Sequence, residues 1–538
     1  MTRDQFAEIL KKKILISVSD SETGTNKFYR EIVLPDHREK VKRKKKYLKK
    51  GCDILISDPL KFPKRGLTGS EFIFEKIHRD EISATRRAGN EDTLILGSLS
   101  LPEEFMQPLG SMSFDRVFEI FRRQTEFFLD CKVNGIAAEG FGDIKILKTA
   151  AQAVRSVSES VILKVQMTIG EKMKSVSGTP VSAFGILFDD LDVDVLGLSF
   201  FSPCDICLAI SELTKFTDKF ISVKPLNSGS GIHVEDIIKA GAGIIDFDCG
   251  VCPDVIENTI KYVSDLKPAK RKKSSGQYLT SRTYIMGIDP FLIIGERINP
   301  SSRPALQKQI LNKNFSGLIA EAEGQKSEGA SALDINLGNE NILDYSHFKE
   351  LFFRLDKISS LPLVPDIQNR KYLADTIKEY PGRTLINSAK VTSSDLSCAI
   401  RIMKENGGAA VLLAMDDKIP ETSEKRVNLI LDGIREFESK GISRDRIFAD
   451  PLVLPLKTNY DSAVTEQTVA KLTRCGIKTV CGLSNISFGM TGRSFINGDF
   501  LTKLVNCGLT AAIMNPGDKF VMNCLNKALK QKNKKEEA

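Results

Sequence analysis

The chain reads as an α/β protein of two tandem (β/α)8 TIM barrels, and three observations predict it. Short apolar runs of strand length recur eight times across the first half and eight times across the second, with helical stretches between many of them. In the second half each run ends in a polar or acidic residue that no core requires. Between the two series lies Lys267–Tyr284, which is basic, Ser-rich and nearly free of aliphatic residues. Such a composition marks a linker. The expected divisions are 1–267 for a first barrel, 268–283 for the linker and 284–538 for a second barrel.

In chain order, the first eight runs are Lys13–Val18, Asp53–Ser57, Thr93–Leu96, Gly135–Ala138, Val161–Val165, Asp194–Leu198, Phe220–Val223 and Gly243–Phe247. Phe114–Cys131, Ile144–Val157 and Glu235–Ala240 carry helical periodicity between them. The second eight are Leu292–Ile294, Ala332–Ile335, Leu361–Pro365, Thr384–Ile386, Ala409–Met415, Ile447–Ala449, Lys478–Leu483 and Leu509–Met514. In a barrel of this kind the catalytic groups sit where strands end, on the C-terminal face. Glu296, Asp334, Asn336, Asp366, Asn369, Asn387, Asp450 and Asn485 are then expected to converge on one pocket. Beyond Lys519, Val521, Leu525 and Leu529 predict a helix that gives way to a frayed terminus.

Composition excludes several classes. No apolar run approaches the roughly 18–20 residues that cross a bilayer, and the charged first residues carry no signal-peptide pattern. A cytoplasmic protein is expected, and eleven scattered cysteines point to reduced thiols rather than a disulfide framework. The net charge of +8 is local, in Arg38–Lys50, Lys270–Lys273 and Lys530–Lys535. No aromatic interleaving accompanies these runs, so nucleic acid is not the expected partner; a basic surface suits an acidic protein instead.

Five motifs stand in order along the second half: IIGERIN (Ile293–Asn299), LDINLG (Leu333–Gly338), LINSA (Leu385–Ala389), ADPLVLP (Ala449–Pro455) and CGLSNISFGMTGRSFIN (Cys481–Asn497). Together they make this half resemble the pterin-binding methyltransferases. That family includes the folate domain of cobalamin-dependent methionine synthase and the methyltetrahydrofolate:corrinoid/iron–sulfur protein methyltransferases. The resemblance implies 5-methyltetrahydrofolate as ligand, with Asp334, Asn369 and Asp450 at the pterin edge and Asp366 and Asn387 on the same wall. It implies that Asn485 lies near N5, the atom that carries the methyl group, and that Arg493 lies near the folate tail or its network. Buried carboxylates suit a pterin because its pyrimidine edge presents N–H donors that must be answered. Any single strand-end Asp or Asn can instead be a helix N-cap. Dihydropteroate synthase shares the fold and the pterin pocket, but its basic pair and Arg-x-His near the last strands have no counterpart in LTAAIMNPGDKF.

The first half resembles the homocysteine methyltransferase domain, through DSETGT (Asp20–Thr25), EGFGD with Glu139 and Asp143, Ser177–Pro180 and VKPLNSG (Val223–Gly229). That family's zinc is held by one cysteine after the sixth strand and an adjacent pair after the eighth. Phe200 stands at the first position, and Asp248 and Cys249 at the pair, so the usual site is broken. Two Cys-x-x-Cys spacings, Cys204/Cys207 and Cys249/Cys252, leave a relocated zinc site on Cys204, Cys249 and Cys252 as an alternative to thiols that are simply packed.

The expected function is methyl transfer between 5-methyltetrahydrofolate and the cobalt of cobalamin or another corrinoid. The chain stops at Ala538 without an Asp-x-His-x-x-Gly motif, so a separate corrinoid-binding protein is the expected partner. The alternatives are a split methionine synthase with homocysteine as acceptor, and a non-catalytic folate-binding or scaffold protein. Oligomeric state is left open.

Overall fold

Parallel strands buried on both faces need apolar residues on both, and the short runs supply them. In the computed structural model they form β1 (Leu15–Ser19), β2 (Ile54–Ile56), β3 (Leu94–Ser98), β4 (Gly135–Phe141), β5 (Ile162–Ile169), β6 (Val195–Phe200), β7 (Phe220–Lys224) and β8 (Ile244–Asp248). All are parallel, and β1 pairs with both β2 and β8, which closes a ring of eight. The structure describes the chain except residues 20–36, 60–69, 90–91, 103, 202–204, 226–233, 275, 302, 337, 339–343 and 538; within helices, side chains are also left undescribed at 37–41, 43, 70–74, 77, 533 and 535–537. Two compact units are present, Met1–Ser274 and Ser275–Ala538.

Alternate residues of each strand face the barrel axis. At the N-terminal end of the first ring these are Leu15, Ile54, Leu94, Ile162, Val195 and Ile244, which cluster with Phe6 and Leu10 of the helix Arg3–Leu10. That helix plugs the floor. It starts in a capping box, Thr2 Oγ1 accepting from the Gln5 N–H at 3.2 Å and Gln5 Oε1 accepting from the Thr2 N–H at 2.8 Å. Arg3 Nε donates to Asp194 Oδ1 at 2.8 Å and fixes the plug to the barrel wall.

The second ring is built from β11 (Leu292–Ile298), β12 (Ala332–Asn336), β13 (Leu363–Asp366), β14 (Leu385–Lys390), β15 (Ala409–Leu413), β16 (Ile447–Asp450), β17 (Val480–Gly482) and β18 (Ala511–Met514). The pairing runs β16-β15-β14-β13-β12-β11-β18-β17, and a single parallel bridge between Ala449 and Thr479 closes it. Sixteen strands stand where the sequence puts its apolar runs, as two (β/α)8 barrels.

The basic stretch read as a linker is in part structural. Its second half contains β9 (Tyr278–Thr280), paired antiparallel with β10 (Ile285–Gly287). Leu279 is fully buried in the floor of the second ring, against a cluster that includes Leu292, Val364, Leu385 and Phe448. Thr280 locks it there, donating from its N–H to the Arg383 carbonyl at 3.0 Å and accepting from the Arg383 N–H at 2.7 Å. The C-terminal helix runs Lys519–Glu537, with Val521 and Leu525 buried, and so extends into the lysine-rich end that composition marked as frayed.

Replacing Leu279 with Ala removes a fully buried plug side chain and should destabilise the second unit by roughly 2–5 kcal/mol, read by urea unfolding. A change of less than about 0.5 kcal/mol would mean that the hairpin is not part of the core.

Candidate functional site

Polar residues collect at the C-terminal ends of the second ring. β12 and β13 run in register so that Asn336 faces Asp366, and Asp366 in turn is matched with Asn387 of β14. The side chains complete what the backbone aligns: Asn336 Nδ2 donates to Asp366 Oδ2 at 2.5 Å, and Asn387 Nδ2 donates to Asp334 Oδ1 at 3.1 Å. Asp334 is 4 % exposed. Register shifts fall at two of these places, between Gly295 and Ile298 in β11 and between Ile386 and Ala389 in β14. A bulge re-aims a side chain at a strand end; Glu296 and Arg297 lie inside the first, and Asn387 and Ser388 inside the second.

Burial sets the electrostatics. It pushes the Asp334 carboxyl well above its ordinary value, helped by the facing Asp366 and opposed by the Asn387 hydrogen bond. Burial likewise raises Asp366 and Asp450 to about 6 each, and raises Glu296. At about 6, Asp366 and Asp450 exchange protons not far below neutrality, so each can donate or accept in turn. Asp450, which ends β16, accepts from the Leu452 N–H at 2.8 Å.

The loop after β17 covers one side of the mouth. Glu296 Oε1 accepts from Ser484 Oγ at 2.7 Å, and Arg493 donates to the Ser484 carbonyl and to Ser487 Oγ, both at 3.0 Å. The next residue, Asn485, is exposed, and its carboxamide has no hydrogen-bond partner among the described residues. Phe488, 67 % exposed, and Phe495, 68 % exposed, follow on the same segment.

Asn369 departs from the expectation. It is exposed, and its Oδ1 accepts from the Lys371 and Tyr372 N–H groups as the N-cap of the helix Arg370–Glu379. The carboxamide beside Asp334 is that of Asn387. The capping role wins at 369 because the position lies beyond the end of β13, where the chain has already turned into its helix.

Two groups that sequence reasoning missed hold the wall in place. Arg426 is 1 % exposed and donates to the Pro451 and Leu452 carbonyls, both at 2.9 Å, and to Tyr460 Oη at 2.8 Å, which fixes the turn after Asp450. Arg297 spans from Glu328 at 2.6 Å to Asn515 Oδ1 at 3.1 Å, so strand-end Asn515 belongs to a structural network. Arg426 stands in no motif, whereas Arg297 stands in IIGERIN beside Glu296. Ser484 stands in a motif too, one residue before Asn485, and its place there was the available signal.

In the first ring, the zinc expectation meets its test. Phe200 is 1 % exposed and lies in the apolar cluster between strands and helices. Asp248 is ion-paired with Lys224 Nζ at 2.5 Å. The Cys249 carbonyl accepts from Tyr47, and Cys252 is exposed at the N-cap of the helix Pro253–Val263. Cys204 lies outside the described residues, as do Asp20–Thr25 and residues 226–229. Among the described residues no group of three His, Cys, Asp or Glu side chains could hold a metal ion. The residues present at the usual zinc position therefore do not fit the metal: one is apolar and another is neutralised by an ammonium group. Of the acidic pair, Glu139 binds Lys164 at 2.6 Å, and Asp143 caps the helix Ile144–Val157. Among the described residues no helix is long and apolar enough to cross a membrane.

The raised carboxyls carry a pH signature. Between about pH 4 and 6 the folded protein holds a proton on Asp450 that the unfolded chain, with its ordinary carboxyl, has released. Stability must fall as pH rises through that window and level off above it. Asp450→Asn keeps the acceptor for Leu452 and removes the ionisation. Its stability should exceed that of the parent at pH 7 relative to pH 4 by on the order of 1–3 kcal/mol, measured by chemical denaturation across the range. Parallel pH profiles for the two proteins would refute the assignment.

Comparison with known proteins gives the site its context. Residues 295–515 match the model of the pterin binding enzymes, and residues 14–270 match that of homocysteine S-methyltransferase. The chain is 24 % identical over 479 residues to methionine synthase of Mycobacterium tuberculosis, covering 80 % of this chain and 39 % of that protein. It is also 24 % identical over 540 residues to methionine synthase of Mycobacterium leprae, covering 89 % of this chain and 44 % of that one. The chain thus spans about two fifths of the length of these relatives. Methylcorrinoid:tetrahydrofolate methyltransferase of Eubacterium limosum is 25 % identical over 240 residues, covering 44 % of this chain and 88 % of the relative. The chain is therefore a homocysteine S-methyltransferase domain followed by a pterin-binding domain, like the N-terminal half of methionine synthase, with its second domain also similar to a methylcorrinoid:tetrahydrofolate methyltransferase.

Proposed function

We propose that the second barrel binds 5-methyltetrahydrofolate and transfers its N5 methyl group to, or receives it from, the cobalt of a corrinoid carried by a separate protein. The observation that carries this reading is the strand-end cluster of Asp334, Asn387, Asp366 and Asp450, with the exposed carboxamide of Asn485 on the turn after β17. A pterin laid across the mouth offers ring N–H and amino donors along one edge. Asp334 and Asp450 accept them, and Asn387 answers a donor or an acceptor. Each such donor left unpaired would cost roughly 1–3 kcal/mol, and this sets the ring's orientation.

Transfer breaks the N5–methyl bond, and N5 must take a proton before or as that happens. The corrinoid, when its carrier is docked, supplies the cobalt nucleophile that the methyl carbon bonds to. The protein's part is positioning and electrostatics. Asn485 cannot ionise, but it can hold a protonated N5 in line with the incoming acceptor. Glu296, its carboxyl raised by burial, fixes Ser484 and with it the loop that bears Asn485. The similarity to a protein named for transfer from methylcorrinoid to tetrahydrofolate supports the corrinoid as partner and leaves both directions in play. A homocysteine acceptor is supported by the family of the first domain, and opposed by the state of its zinc positions.

Asn485→Ala should lower turnover with a corrinoid protein by about 10²-fold while changing the methyltetrahydrofolate Kd by less than about threefold. Unchanged turnover would remove the mechanism. Phe488 and Phe495 stand exposed beside the same loop, and apolar side chains so placed are where a protein carrier gains binding energy. Phe488→Ala should raise the KM for the corrinoid protein by about tenfold with folate affinity intact. Equal effects on both substrates would instead mean a distorted loop.

A further inference from the structure

The axis of the first barrel is filled with charge. Lys164 on β5 points inward, its Nζ 2.6 Å from Glu139 Oε1 and 2.7 Å from Asp246 Oδ2, and all three side chains are essentially sealed from solvent. Gln166 Nε2 adds a hydrogen bond to Asp246 Oδ2 at 3.2 Å. Closer to the mouth, Lys224 Nζ lies 2.5 Å from Asp248 and 2.8 Å from Ser19 Oγ, and Lys224 is 1 % exposed. The hydroxyls of Thr168 and Ser199 bond to each other at 2.9 Å.

We propose that the first barrel is closed to zinc and to the homocysteine thiolate that zinc would activate, because two lysines of its own wall already engage the three carboxyl groups on its axis. The Lys224 ammonium sits on Asp248, which stands where the domain family has a metal-binding cysteine. The Lys164 ammonium sits between Glu139 and Asp246, deeper on the same axis. A dication entering at Asp248 would have to displace Lys224 from the carboxylate, and Asp248 with the adjacent thiol of Cys249 would still be fewer than the three protein ligands of a zinc site. An amino acid's ammonium group would likewise have to displace Lys164 from a pair held in low dielectric, where breaking either partner is costly. The barrel is thus pre-filled. Its charges hold the fold and take no substrate.

This inference is independent of the reading of the second barrel, because its readouts are metal content and thermal stability rather than methyl transfer. The full-length protein is incubated with zinc chloride, dialysed and analysed for metal, and its thermal unfolding is followed with and without homocysteine. Less than 0.1 zinc per chain and no shift with homocysteine, in roughly this range, are expected. About one zinc per chain that is lost on replacing Cys249 and Cys252 with Ser, or a stabilisation by homocysteine, overturns the proposal. In parallel, Lys164→Ala and Lys224→Ala should each lower the first unit's unfolding temperature by about 5–10 °C. A small alkylamine such as n-propylamine should restore part of that loss in the variants without stabilising the parent or the exposed-site control Lys418→Ala. Unaltered stability in both lysine variants overturns the proposal as well. Should either variant fail to fold, the metal analysis on the parent still decides.

Discussion

What fills the axis of each barrel is the constraint on which everything else rests. A closed parallel ring turns every second side chain inward, and that interior must be packed without orphaned polarity. The second ring meets this by segregation: an apolar floor plugged by Leu279, and above it a layer of carboxyl and carboxamide groups at the strand ends. Burial above that floor raises the carboxyls of the layer. The first ring meets the same constraint with ion pairs, two ammonium groups against three carboxyl groups along the axis. The pairing there is incomplete, since the buried Ser17 Oγ, Ser222 Oγ and Asp246 Oδ1 have no hydrogen-bond partner among the described residues.

Much of this was legible beforehand, for physical reasons that differ from place to place. Strand positions could be read because a doubly buried parallel strand needs an unbroken apolar run, and polar residues stand out where such runs stop. Asp334, Asp366 and Asp450 were visible on that ground alone. Asn369 is an N-cap in the structure, and a polar residue just past a strand looks the same in sequence whether it faces the mouth or caps the next helix. Only the register, which gives that place to Asn387, separates the two. Arg426 left no trace, since an inward-facing arginine on a helix of ordinary composition reads as surface. The filled axis of the first barrel did leave one. In ILKVQMTI, Lys164, Gln166 and Thr168 recur with period two inside a strand that ought to be apolar on both faces. A polar stripe in a buried parallel strand has nowhere to point but the axis.

The loop after β17 joins the two requirements of the proposed reaction. Its inner side is tied down by Glu296 and Arg493, and its outer side carries aromatic surface. A residue at the join, Asn485, can be rigid in position yet open to an approaching acceptor. That pairing of a fixed backbone and a free side chain is what positioning without covalent chemistry asks for.

The seams of the second ring are uneven. β13 meets β14 through one matched pair of residues, Asp366 with Asn387, and β16 meets β17 through the one bridge at Ala449 and Thr479. The barrel is therefore two arcs: β17, β18, β11, β12 and β13 on one side, β14, β15 and β16 on the other. Asp334, Asp366, Glu296 and Asn485 belong to the first arc, and Asn387 and Asp450 to the second. A ligand that met both Asp334 and Asp450, as proposed above, would bridge the two arcs. Few ladder bonds hold either seam, so these two joints are where the ring's backbone pairing is thinnest.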